Sequence, residues 1–407
     1  MSLFYSSKHK IRNIQRTIDG LLDGDFPLSS GRRALEKLRE SFASLEAKLT
    51  RAHRLKDEDS ISQLADHVNV KIYQVLPVLG FILRSTNIRN AFEILDPLQS
   101  LALSTLQGRP HLLLSSEWDF VPFAYPQSLD DLRNFVLIGL PASEAASALL
   151  VPLAGHELGH AVWRNRGIEG TAHSTLQYRC EGLYATSIDE FKRHFPDYNE
   201  NDIVYRELLP EAISQSVELG VFQAEELFCD LFAYALFGES YLYAFSYILA
   251  PGSGGRSPKH PSYKTRIDTV RGIAKVEGHE LPSLAALQFK DELESGNPRD
   301  RFVLRMAETS VSEVVPGLWS SIIKIVNDGH VCRPNNSYAL AHVNDFKNDI
   351  PARNPVCIGD IINGGWLYYH EVQGARLLAD KVSEKLDQLN EMMLKSIEVL
   401  EFTRRTA

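Results

Sequence analysis

Cysteine is scarce in this chain: Cys180, Cys229, Cys332 and Cys357 stand far apart and form no CxxC pair. That spacing excludes a disulfide framework and a thiolate zinc knuckle, and it favours a reducing compartment. Excess positive charge is missing too. The formal net charge of -9 argues against nucleic-acid binding, which needs a basic face. The short basic clusters SSKHKIRNIQR and RAHRLK read as solvated helix faces. Long apolar runs are also lacking. A membrane-spanning helix needs about 20 apolar residues, and the best stretches, AASALLVPLAG and SYLYAFSYILAPGSGG, stop short of that. No apolar stretch follows the charges of MSLFYSSKHKIRN, so no secretory leader is expected there. These absences predict a cytoplasmic protein that neither inserts into membranes nor binds nucleic acid.

What is present is ordinary globular material, 44% hydrophobic and 23% charged. A chain of 407 residues is long for one core, so two or three packed units are expected. Residues 1–107 read as helical. Leu35, Leu38, Phe42, Leu45 and Leu49 form a heptad-like stripe that Ser29 or Ser30 can cap. Ile61, Leu64, Val68, Ile72, Val75 and Leu79 form another, kinked by Pro77. An antiparallel helical hairpin is favoured over an intermolecular coiled coil. Near residue 108 the pattern changes. HLLLSSEWDFVPFAYP and NFVLIGLP are rich in β-branched and aromatic residues and read as strands. After Pro141, Ser143 can cap a helix running to about Arg164. Residues 165–220 read as charged and loop-rich, a candidate cover for a cleft. Helices return from about 203, with a Gly-rich loop in APGSGGRSPKHPSY. The C-terminal third, residues 283–407, is mostly helical. It closes on the stripe Val382, Leu386, Leu389, Met393, Ile397 and Leu400, which serves either packing on the N-terminal helices or self-association.

The chemistry concentrates in LAGHELGHAVW, residues 153–163. Four residues apart on a helix, His156 and His160 point the same way. Their nitrogens can hold one zinc ion at about 2.0–2.1 Å. Glu157 can then reach a water and act as general base. The residues around the motif, Leu149, Leu150, Leu153, Val162 and Trp163, are apolar, and polar groups there need partners. Gly159 leaves room beside a metal. Two histidines leave a catalytic zinc one protein ligand short. Trp163 and Arg166 stand where a metzincin would continue, so that class is excluded. EELFCDLFA supplies Glu226 as the third ligand, with Asp230 one turn on to orient a histidine ring. Glu225, followed by Cys229, offers no such carboxylate pair. In SPKHPSYKTRI, the donors His260, Tyr263 and Arg266 can serve a developing oxyanion, or they are surface residues at a helix start.

HELGH at 156–160, Glu226 to Asp230, and His260-Pro261 through Arg266 together resemble the gluzincin metallopeptidases. Within them the chain is similar to the family of the CAAX prenyl endopeptidase and the heat-shock membrane protease. The likeness spans roughly residues 110–275. It implies one Zn2+ per chain on His156, His160 and Glu226, with Glu157 as base. It further implies that Asp230 supports a ligand and that His260 and Arg266 contact substrate or oxyanion. Many family members are membrane-embedded, whereas this chain has no spanning segment in its sequence.

The expected fold is mainly α with a small β-sheet (α+β). A zincin-like metallopeptidase core at 108–282 is flanked by helical regions at 1–107 and 283–407. NFVLIGLP is the candidate edge strand on which a peptide would add itself. The expected function is zinc-dependent hydrolysis of a peptide bond in a protein or peptide substrate. The alternatives are a catalytically silent zincin-like scaffold that binds a partner, and a chance HELGH without metal.

Overall fold

The computed structural model describes residues 3–26, 28–87, 90–118, 122–124, 130–248, 257–281, 297–375 and 378–406. They form a mainly helical protein with one small sheet. Among the described residues no helix is long and apolar enough to cross a membrane. The chain divides into two compact units, residues 1–103 with 108–147, and residues 104–107 with 148–407.

The first unit contains α1 (Leu3–Leu22), α2 (Ser29–Leu55), α3 (Glu58–Asn87), most of α4 (Phe92–Thr105), and the strands β1 (His111–Glu117), β2 (Phe123–Ala124) and β3 (Phe135–Pro141). The α2 stripe of Leu35, Leu38, Phe42, Leu45 and Leu49 is buried in a core shared with Ile11 and Ile18 of α1 and Val68, Val75 and Phe81 of α3. The hairpin expected from the stripes is therefore part of a three-helix layer. Each fully buried Leu or Phe contributes about 1.5–3 kcal/mol of transfer free energy. The residue preceding α2 is Leu28, with no side-chain cap, so Ser29 and Ser30 lie inside the helix. Leu113, Phe135 and Leu137 bring the sheet into the same core.

The sheet order is β1-β3-β2, with β1 parallel and β2 antiparallel to β3. NFVLIGLP is thus the central strand, and the edge-strand expectation for it fails. The physical reason is in its composition. All seven residues of β3 are buried, and a continuous apolar run is the mark of a strand covered on both sides.

The second unit holds α5 (Val151–Asn165), α6 (Ile168–Thr186), α7 (Ile188–His194), α8 (Leu208–Phe237), α9 (Glu239–Ile248), α10 (Tyr263–Val276), α11 (Pro298–Asp328), α12 (Asn336–Lys347), α13 (Ile358–Gly374) and α14 (Ala379–Thr406). Two short 3-10 turns, Ala142–Glu144 and Ala148–Leu150, precede α5. The helix then starts at Val151 with Pro152 in its first turn, so Ser143 does not cap it. Residues 165–220 are largely helical rather than loop-rich. In α6, Ala172, Leu176, Cys180 and Tyr184 recur every four residues and are buried, a stripe too thin to stand out among charged neighbours. The Gly-rich loop expected from residue 250 lies outside the described residues up to 256. Leu389, Met393, Ile397 and Leu400 of the C-terminal stripe are buried. A methyl placed on Gly365 of α13 would meet the Met393 side chain.

Candidate metal centre

The site is made where α5 crosses α8. A Cβ on Gly155 would lie 2.6 Å from the Phe237 ring, and one on Gly159 would lie 2.9 Å from the Cα of Cys229. Both are closer than real Cβ contacts come, so only glycine permits this approach of the two helices. Gly159 therefore faces α8 directly, and what it leaves room for is a neighbouring helix. His156 and His160, each one residue further on, are carried to the carboxylates of α8.

Glu226 meets both rings, one oxygen to each. His156 Nε2 is 3.7 Å from Oε2 and His160 Nε2 is 3.8 Å from Oε1. His260 Nε2 also lies 3.8 Å from Oε1. The opposite ring nitrogens are tied to other carboxylates: His156 Nδ1 is 3.0 Å from Asp230 and His160 Nδ1 is 2.8 Å from Glu225. A carboxylate at Nδ1 fixes the proton there, which turns the Nε2 lone pair toward Glu226. Two lone pairs and a carboxylate then face one another, an arrangement that calls for a cation or a proton between them. The spacing suits a metal, since ligand atoms about a tetrahedral zinc lie roughly 3.3–3.5 Å apart. The donor chemistry fits as well. Glu157, Glu225 and Glu226 all act on His160, while Arg266 pairs with Glu226 and Asp230, and buried charge of one sign requires compensation.

Arg266 is buried in α10, which Ser262 caps by accepting from the Thr265 N–H at 3.1 Å. Its Nε and Nη2 donate to Asp230 at 2.8 and 2.6 Å, and Nη1 lies 3.1 Å from Glu226. These donors hold the Glu226 and Asp230 carboxylates in place. Asp230, 1% exposed, also accepts from the Tyr241 hydroxyl. Tyr241 reaches it because Gly238 turns the chain at φ 61°, ψ -139° between α8 and α9, backbone that only glycine adopts readily. His260 stands at the open side, its side chain 59% exposed and its Nδ1 2.9 Å from the Ser257 hydroxyl. Glu157 is buried, and its charge acts on His160 and Cys229.

The electrostatics are strongly coupled. Burial pushes the His160 pKa down, but the Glu225 hydrogen bond and the charges of Glu157, Glu226 and Glu225 overcome it and raise the net value. Burial raises Glu226, yet Arg266 and the two histidines outweigh it and hold this carboxyl below its ordinary range. Asp230 is likewise buried, and Arg266 and His156 hold it well below the carboxylate range. Burial, reinforced by the surrounding carboxylates, drives the Cys229 thiol far up.

Residue-type patterns passed over three members of this cluster. Glu225 engages His160 although no carboxylate follows it one turn later. Tyr241 carried no motif. Cys229 lies with His156 and His160 such that one ligand atom from each falls within 4.8 Å of the others. The signal for Glu225 was its place beside Glu226, which lets one helix serve both nitrogens of one imidazole.

No family model matches the chain, and neither does any curated protein or solved structure. Geometry and chemistry alone carry the functional reading.

Proposed function

We propose that the chain is a zinc-dependent peptidase of gluzincin type acting on a protein or peptide substrate. The carrying observation is the convergence of His156 Nε2 and His160 Nε2 on Glu226, with each Nδ1 held by a separate carboxylate. His156, His160 and Glu226 would hold the metal. Zinc, when bound, supplies a Lewis acid toward a carbonyl oxygen and acidifies water. The chain's own residues do the rest. Asp230 and Glu225 keep the two rings in one tautomer and orientation. Arg266 and Tyr241 keep Asp230 ionised and in place. Glu157 accepts a water proton on its carboxylate and passes it to the leaving nitrogen. His260, exposed beside the cluster, donates toward a substrate oxygen. Four free thiols suit a reducing compartment, and we place the activity in the cytoplasm.

A second reading has a specific observation behind it. With Cys229 as a fourth donor beside His156, His160 and Glu226, the site would be a closed structural centre on a silent scaffold. Elemental analysis of purified wild type, Glu226→Ala, Cys229→Ala and Glu157→Gln separates the two. The peptidase reading expects about one zinc per chain, lost in Glu226→Ala and kept in Cys229→Ala. It also expects Glu157→Gln to keep zinc but stop cleaving a quenched fluorescent peptide library. Zinc lost in Cys229→Ala as well as in Glu226→Ala would establish the closed centre. No zinc after reconstitution would defeat both.

A further inference from the structure

Away from the metal centre, the segment joining α11 to α12 lies against the start of α13. Cys357 immediately precedes α13, and its Sγ lies 3.2 Å from the carbonyl oxygen of Cys332, in donor position. Three residues on, Asp360 accepts from the Asn335 N–H at 2.5 Å. Pro334 packs so closely on Gly359 that a Cβ there would come within 2.5 Å of its ring. Arg333 is fixed by Glu277, at 2.6 Å. The two cysteines are therefore held side by side by contacts on both flanks. Cys332 is exposed and Cys357 is buried. The other two cysteines, Cys180 and Cys229, are both buried.

We propose that Cys332 and Cys357 form a peroxide-reactive dithiol, with Cys332 as the attacking thiol and Cys357 as the resolving one. An exposed sulfur poised beside a second thiol is the arrangement of a redox-active cysteine. The Cys332 sulfur attacks one oxygen of hydrogen peroxide and the O–O bond breaks. Hydroxide leaves and takes up the thiol proton as water. Cys332 is oxidised to a sulfenic acid while the peroxide is reduced. The Cys357 sulfur then attacks the Cys332 sulfur, the S–O bond breaks, and the departing hydroxide leaves with the Cys357 proton as a second water. Two thiols and one peroxide become one disulfide and two waters. The electrostatic setting favours the first step. The adjacent Cys357 side chain, with help from Arg404, outweighs burial and Asp360 and draws the Cys332 thiol down to about 7. Its contact with Cys332, and burial, hold Cys357 far above the ordinary thiol range, so Cys357 keeps the proton of the pair.

The test uses the full chain, exposed to hydrogen peroxide at a few equivalents, alkylated, digested and read by mass spectrometry. The expected product is an intact chain lighter by about 2 Da, with a peptide linking Cys332 to Cys357 and unmodified Cys180 and Cys229. Cys357→Ser should stop at a sulfenic acid on Cys332 that dimedone captures. Cys332→Ser should leave Cys357 unoxidised. A melting curve beside wild type shows whether each variant is folded, and the wild-type peptide map stands without them. Over-oxidation of Cys332 to sulfinic acid in wild type without the linked peptide would overturn the proposal. So would an intermolecular Cys332 dimer, or four unreacted thiols.

Discussion

Replacing Asp230 with Asn tests the organisation of the candidate metal centre most directly. Among the described residues the hydrogen-bond partners of this carboxylate are donors: Arg266 Nε at 2.8 Å and Nη2 at 2.6 Å, the Tyr241 hydroxyl, and the His156 Nδ1 side at 3.0 Å. An amide has the same shape but turns one acceptor into an NH2 donor, so hydrogens would face hydrogens. It also leaves Arg266, 8% exposed, with Glu226 as its remaining ion-pair partner among the described residues. Breaking a buried ion pair from one side costs about 3–5 kcal/mol, and a typical domain has only about 5–15 kcal/mol of stability. Urea unfolding followed by circular dichroism and tryptophan fluorescence should register the loss. With a slope near 3 kcal/mol/M, the transition of the second unit should fall by about 1 M or more. Zinc affinity, read by competition with a fluorescent chelator, should drop about 10–100-fold as His156 loses its orienting partner. A midpoint within about 0.2 M of wild type, together with unchanged zinc affinity, would refute the claim that Asp230 assembles the cluster.

Gly159→Ala sets two effects against each other. Helix propensity favours alanine by about 1 kcal/mol, but its methyl would sit 2.9 Å from the Cα of Cys229, and overpacking against backbone costs about 1–3 kcal/mol. We expect a lower melting temperature and weaker zinc binding; a melting temperature above wild type would show that α5 and α8 tolerate separation. Asp360→Asn gives a pH signature. Burial pushes the Asp360 carboxyl up to about 6, only partly offset by the Asn335 N–H. The folded state thus holds this proton more tightly than the unfolded chain, whose value is about 3.9. Its stabilising contribution is complete below about pH 4 and is lost as pH rises through about 6. Thermal melts should therefore show Asp360→Asn gaining on wild type at pH 7.5 but not at pH 4.5. An equal difference at both pH values would count against it.

How much of this was legible in the sequence depends on what sets each feature. The helix of His156 and His160, and the helix of Glu226 and Asp230, follow from four-residue spacing, which local geometry alone converts into a shared face. The helical stripes of α2 and α14 were legible for the same reason. The centrality of β3 was written in its unbroken apolar run, yet chain order by itself does not say which strand joins it on either side. Pairing partners are a long-range property, and β1 and β2 both precede β3 in the chain.

Glu225 marks the deeper limit. Adjacent residues on a helix point about 100° apart, so Glu225 and Glu226 address one target only if that target is wedged between their directions. His160 is so wedged because α5 lies almost in contact with α8, and it does so because Gly155 and Gly159 present no Cβ to Phe237 and Cys229. Glycine inside a helix ordinarily counts against helix formation. Here the two glycines set the distance at which an imidazole can span neighbouring carboxylates. The motif residues name the chemistry, but the residues without side chains decide which carboxylate each nitrogen meets. A site search keyed only to ligand types would therefore find His156, His160 and Glu226 and pass over Glu225, which the crossing of the helices supplies.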